Sequence, residues 1–185
     1  MGFSTSRRFF LQASLLTTTL ALLHPGRALA GFSPPEKPAG RLNLYNTHTG
    51  EKLDTVYRDR GGRYDPQAVE ALSWLLRCHH TGQQYPIDVR TLDFLGLVGA
   101  QLGSDNAIHI ISGYRSRQYN NYLLSRGHKV AKYSLHLEGR ALDVRIPGTS
   151  LATLRRTALS LRMGGVGYYP RGDFVHIDSG AFRSW

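Results

Sequence analysis

The chain has 185 residues, a formal net charge of +10 and a single cysteine, Cys78. That length holds one domain with a sizeable core plus short extras, and one cysteine excludes an intrachain disulfide. The positive charge suits an anionic partner, either a wall polymer, a membrane surface or a nucleic acid. No Lys/Arg run with interleaved aromatics appears, which sets nucleic acid aside.

Residues 1–30 read as a targeting segment. Ser6-Arg-Arg-Phe-Phe-Leu-Gln12 is close to the twin-arginine export signal. Ala13 to Leu23 is modestly hydrophobic, and too short for a membrane helix, which needs about 20 apolar residues. Ala28-Leu-Ala30 gives a small-x-small pattern, so cleavage is expected after Ala30. These thirty residues hold Arg7, Arg8 and Arg27 and no acid, so the remainder keeps +7 of the +10. The destination is a bacterial periplasm or cell envelope, reached with the twin-arginine translocase as a transient partner and with no stable membrane span after cleavage.

Residues 31–40 are a Pro-rich linker. Residues 41–58 read as a hairpin: Leu42 and Leu44 alternate with Arg41 and Asn43, Asn46 to Gly50 turns, and Leu53 to Tyr57 returns. His48 in that turn is expected to be solvated. Asp65-Pro66 opens a helix with Leu72, Leu75 and Leu76 inward. Cys78 continues its apolar pattern and reads as a buried thiol; His79 and His80 read as loop. Asp88 caps a second helix to about Leu102, with Leu92, Leu95, Leu97 and Val98 as core. Ala107 to Ser112 is a short strand holding His109, and a helix spans about 117–125. Ser150 or Thr149 caps a helix through Arg162. Met163 to Pro170 is Gly-rich but lacks a following Lys-Ser/Thr, so it is strand and turn rather than a phosphate loop.

The chemistry concentrates in two stretches. Ser134-Leu-His-Leu-Glu-Gly-Arg-Ala-Leu-Asp143 leads into an alternating strand with Ala141, Asp143 and Arg145 on one face. Gly139 lets the backbone turn, bringing His136 over that face. In Gly172-Asp-Phe-Val-His-Ile-Asp178, Phe174, His176 and Asp178 share a face. Pairing the two strands gives two imidazoles and a carboxylate, His136, Asp143 and His176. That is a three-ligand zinc set with a fourth position left for water. Asp173, three residues before His176, is a candidate general base, with Glu138 its rival. Arg115, in the turn Gly113-Tyr-Arg-Ser116, offers a planar fork to a carboxylate or oxyanion; the alternative is a solvated turn arginine.

Ser-x-His-x-x-Gly-x-Ala-x-Asp followed by Asp-x-x-His resembles the zinc peptidases of the D-Ala-D-Ala carboxypeptidase and dipeptidase group. Ile110-Ile-Ser-Gly-Tyr-Arg-Ser116 resembles the segment before their first ligand. The chain is more similar to the YcbK-like branch, the murein endopeptidase K family. That likeness runs from Arg41-Leu-Asn-Leu-Tyr-Asn-Thr-His-Thr-Gly-Glu51, through Leu76-Arg-Cys-His-His-Thr-Gly82, to Phe174-Val-His-Ile-Asp-Ser-Gly180 and Trp185. It implies one zinc per chain and hydrolysis of peptide cross-links in peptidoglycan. It also favours Asp173 as base and Arg115 as a catalytic residue. A D,D- or L,D-carboxypeptidase, a noncatalytic wall-binding module and a zinc-stabilised interaction domain remain competitors. The fold expected is α+β: residues 41–185 as one domain, a small central antiparallel sheet with flanking helices, and the zinc site in a cleft over its polar face.

Overall fold

The computed structural model describes residues 38–103, 106–128 and 130–185. The leader of residues 1–30, its cleavage site and most of the 31–40 linker lie outside them. Gly40, at the linker's end, already belongs to the first strand, β1 (Gly40–Asn46), which pairs antiparallel with β2 (Lys52–Arg58). Then come α1 (Pro66–Leu75), α2 (Val89–Leu102), β3 (Ile108–Ser112) and α3 (Arg117–Ser125). The second half supplies β4 (Ala141–Arg145), α4 (Leu151–Leu161), β5 (Gly165–Tyr169), β6 (Phe174–Asp178) and β7 (Arg183–Ser184).

Each helix starts where a short polar side chain satisfies the open N–H groups of its first turn. Asp65 accepts from Gln67 and Ala68, Asp88 from Arg90, Ser116 from Tyr119 and Ser150 from Thr153. Pro66 sits at the first position of α1, where no N–H is needed.

The sheet differs from the small antiparallel one expected. It has seven strands in the order β2-β1-β3-β4-β6-β5-β7. Four neighbouring pairs are antiparallel, but β1–β3 and β5–β7 are parallel. The parallel β1–β3 pair follows from the long route between them through β2, α1 and α2, since only a crossover lets two strands run the same way. Alternation marks strands in sequence but does not name their partners.

One face of the sheet is the core. Leu44, Ile110, Leu142, Val144, Val175 and Ile177 meet Leu72, Leu92, Leu95, Val98 and Leu154 from the helices, all at or below 1% exposure. Phe94 takes the core position expected for Leu97, which is only half-buried. Tyr168 packs against this core, whereas Tyr169, one residue on, turns to the other face and stacks on Phe174.

The other face carries the charges. Asp143 lies directly across from His176, and Ala141 across from Asp178. β4 and β6 sit in mid-sheet, so these polar groups are held by a rigid ladder. Among the described residues no helix is long and apolar enough to cross a membrane.

Candidate metal centre

His136 reaches the polar face from outside the sheet. The Ser134 hydroxyl accepts the His136 N–H and opens a 3-10 turn over Leu135–Glu138. Gly139 ends it in the left-handed region at φ 64, where a side chain would also strike the Pro86 carbonyl. The turn is laced to the segment after β3: His136 Nδ1 donates to the Gly113 carbonyl at 2.7 Å, and the Arg115 N–H donates to the His136 carbonyl at 3.0 Å.

His136, Asp143 and His176 meet with one donor atom each, all within 4.8 Å. His136 Nε2 lies 3.2 Å from His176 Nδ1 and 3.3 Å from Asp143 Oδ1, and His176 Nδ1 lies 2.8 Å from that same oxygen. Their exposures are 2%, 6% and 8%, so the group is nearly sealed rather than set in the open cleft expected. Two of the donors thus come from one cross-strand pair and the third from a turn.

The outer nitrogen of each ring is already committed. His136 Nδ1 faces a carbonyl and His176 Nε2 faces the Asp178 carboxylate at 3.0 Å, both acceptors, so both must carry hydrogen. The inner nitrogens then point lone pairs at each other and at a carboxylate. Such a set demands positive charge at its centre, either a proton or a cation. Four tetrahedral bonds of 2.0–2.1 Å to zinc hold their donors about 3.3 Å apart. The separations here, 2.8 to 3.3 Å, fit that ion with small adjustment.

The electrostatics agree. Burial pushes the His136 imidazolium down further than the Asp143 charge raises it, so the ring stays neutral. Burial alone would raise Asp143, but its place against the His136 and His176 rings holds its carboxyl well below the usual range. For His176 burial is outweighed by hydrogen bonds to Asp143 and Asp178, and its pKa rises to about 8.

Asp178 is the best-satisfied acid in the described molecule. It is 0% exposed and accepts from His176 Nε2, the Gly165 and Gly180 N–H groups, and both terminal nitrogens of Arg183. Trp185 stands beside His176 with ring centroids 5.3 Å apart, and Gly167 has no side chain because the Trp185 ring fills that space.

Arg115 is 8% exposed and lies by the three donors. Its Nη2 is 3.8 Å from Asp143 Oδ2, and Nη1 donates to Asn120 Oδ1 at 3.3 Å. Its Nε has no hydrogen-bond partner among the described residues. It is therefore not a solvated turn arginine.

Asp173 is not brought to the group. It precedes β6 with φ 55, in the left-handed region and outside the alternating strand. Its carboxylate ion-pairs with Arg145 and its side chain is 62% exposed. Glu138 points to Arg140. Cys78 is buried and donates to the Ser116 hydroxyl. His48 is not merely solvated: it bonds the Ile111 carbonyl and stacks on His79. His109 lies in the sheet, edge-on to Tyr45.

Sequence reading missed Asn120, Arg183 and Trp185. Asn120 looked like one more polar residue of α3, and only its 1% exposure sets it apart. Arg183 belongs to a strand of two residues, too short to show periodicity, and Trp185 follows that strand.

Comparison with known proteins places this sequence in a family. The family model described as peptidoglycan L,D-endopeptidase MepK, of the M15 peptidases, matches residues 35–185. The peptidoglycan L,D-endopeptidase MepK of Escherichia coli K12 is 39% identical over 183 residues, covering 99% of this chain and 98% of that protein. The protein of that name in Shigella flexneri matches to the same extent. In Haemophilus influenzae the "Probable peptidoglycan L,D-endopeptidase MepK" is 34% identical over 181 residues, covering 97% and 95%. By both the family match and near full-length identity, this chain belongs to the MepK family of M15 peptidases.

Proposed function

We propose that this chain is a zinc-dependent peptidoglycan endopeptidase of the bacterial envelope that hydrolyses peptide cross-links. One observation carries the reading. Three donor atoms, on His136, Asp143 and His176, converge with the other nitrogen of each ring already tied to an oxygen. We assign them as the zinc ligands. Zinc bound there supplies an acidified water and polarises the scissile carbonyl.

The protein's own groups would then act as follows. Arg115 offers its under-satisfied guanidinium to the carbonyl oxygen as negative charge builds there. Asp173 accepts the proton of the attacking water and returns it to the leaving amine. It reaches that role by leaving Arg145. This costs little, since an exposed ion pair contributes only about 0–1 kcal/mol. Asp178 fixes the His176 ring by holding its Nε2 hydrogen.

The names of the relatives support an L,D bond as the target. The leader of residues 1–30 supports export by the twin-arginine route with cleavage after Ala30. N-terminal sequencing of the envelope form should therefore begin at Gly31.

The experiment is incubation of the mature chain with defined cross-linked muropeptides, with and without zinc, products read by mass spectrometry. Zinc-dependent cleavage into two peptide fragments is expected. A chain that binds one zinc and releases no product overturns the enzyme reading in favour of a wall-binding module.

A further inference from the structure

Five rings that this reading does not use gather on one surface. His48 from the β1–β2 turn stacks on His79 at 3.7 Å between centroids, and His79 meets Tyr119 edge-on at 5.1 Å. His80 lies parallel over Tyr119 at 4.5 Å and over Tyr122 at 5.4 Å. The Arg126 guanidinium flanks the end of the row, 5.4 Å from the Tyr122 ring. The rings come from a hairpin turn, a loop and a helix, yet His48, His80 and Tyr122 remain exposed. We propose that this row is a saccharide subsite, which holds a sugar ring of the glycan strand that carries the scissile peptide. It rests on the peptidoglycan reading above.

The ligand class follows from ring chemistry. A pyranose has an apolar C–H face, a rim of hydroxyls and no net charge. Imidazole and phenol match both features, offering a π face and a polar edge. An apolar partner helix would be met by aliphatic side chains, and none of the five residues is aliphatic. Burial first, then the charges of His48, His80 and Arg115, push the His79 pKa down to about 4. Its ring is therefore neutral at ordinary pH and tolerates stacking.

The place is also right. Ser116, the residue after Arg115, caps α3, which carries Tyr119 and Tyr122. Cys78, the residue before His79, donates to that serine. Gly113, at the start of the same turn, holds His136. One rigid turn therefore positions both the candidate centre and the row. Tyr119 and Tyr122 lie three and six residues along α3 from Ser116, roughly 5 to 9 Å at 1.5 Å per residue. The row therefore begins about one helical turn from the cap that follows Arg115.

Two measurements on the full chain test this. The first titrates metal-free protein with glycan strands stripped of their peptides. Wild type is expected to bind, and His80→Ala/Tyr122→Ala to bind about tenfold more weakly, while Tyr122→Phe, which keeps the ring, retains affinity. The second compares kcat/KM on glycan-bearing cross-links with that on the same cross-link freed of glycan. The double variant should lower that ratio about tenfold. Absence of glycan binding by wild type, or an unchanged ratio, overturns the subsite. Equal loss on both substrates also overturns it, since the rings would then act through the fold or through another partner. If neither substrate is cleaved, the enzyme reading fails and the glycan titration still decides this one.

Discussion

Strand β6 ends on one aspartate and directly follows another, and the two are built differently. Asp178 closes the strand inside the protein, with five donors on its two oxygens and no exposed surface. Asp173 precedes the strand at a left-handed residue, largely exposed, with Arg145 as its ion-pair partner. A carboxylate that must hold a ring at one angle for the life of the protein is over-determined. A carboxylate that must exchange a proton has to be free to change partners. In the proposed mechanism the same residue type, five positions apart, would serve fixation at one end and proton exchange at the other.

This contrast can be broken at its stronger end first. Asp178→Ala leaves His176 Nε2 and the Gly165 and Gly180 N–H groups without their acceptor, so it should cost about 1–3 kcal/mol of stability for each buried donor left unpaired. Zinc affinity should also fall about 10–100-fold. Denaturant melts and zinc competition titrations check both; unchanged affinity would remove Asp178 from the centre. Asp173→Asn should instead lower turnover about 10²–10⁴-fold, with zinc affinity and melting temperature unmoved. A variant with full turnover would end its role as base. Arg145→Ala, which only frees Asp173, should change stability by about 0–1 kcal/mol and leave turnover undiminished; a collapse of activity would mean that the pair itself is needed.

A smaller effect lies in pH. The His79 pKa falls from 6.5 unfolded to about 4 folded. Between those values the unfolded chain takes up the proton first, so stability should decline as pH drops through that window. His79→Phe should flatten the decline in melting temperature, measured from pH 7 to pH 4.

Much of this was legible in the residues. Asp65, Asp88 and Ser150 announced their helices because capping is a local matter. Alternation put Asp143 and His176 on one face, and Gly139 marked the turn that delivers His136. What failed was non-local or exceptional. The β1–β3 pairing depends on a crossover, and β7 is too short for a pattern. The positive φ of Asp173, a non-glycine residue, leaves no trace in the spacing. The role of Asn120 is visible only once Arg115 lies against it.

His136 alone of the three donors stands outside the sheet, on a single 3-10 turn of four residues. Asp143 and His176 are locked in the central ladder. A shared ion would act as a rivet between a rigid plate and a short, locally weak piece. Amide exchange should register this unevenly. Chelation should quicken deuterium uptake across Leu135–Glu138, while β4 and β6 stay protected.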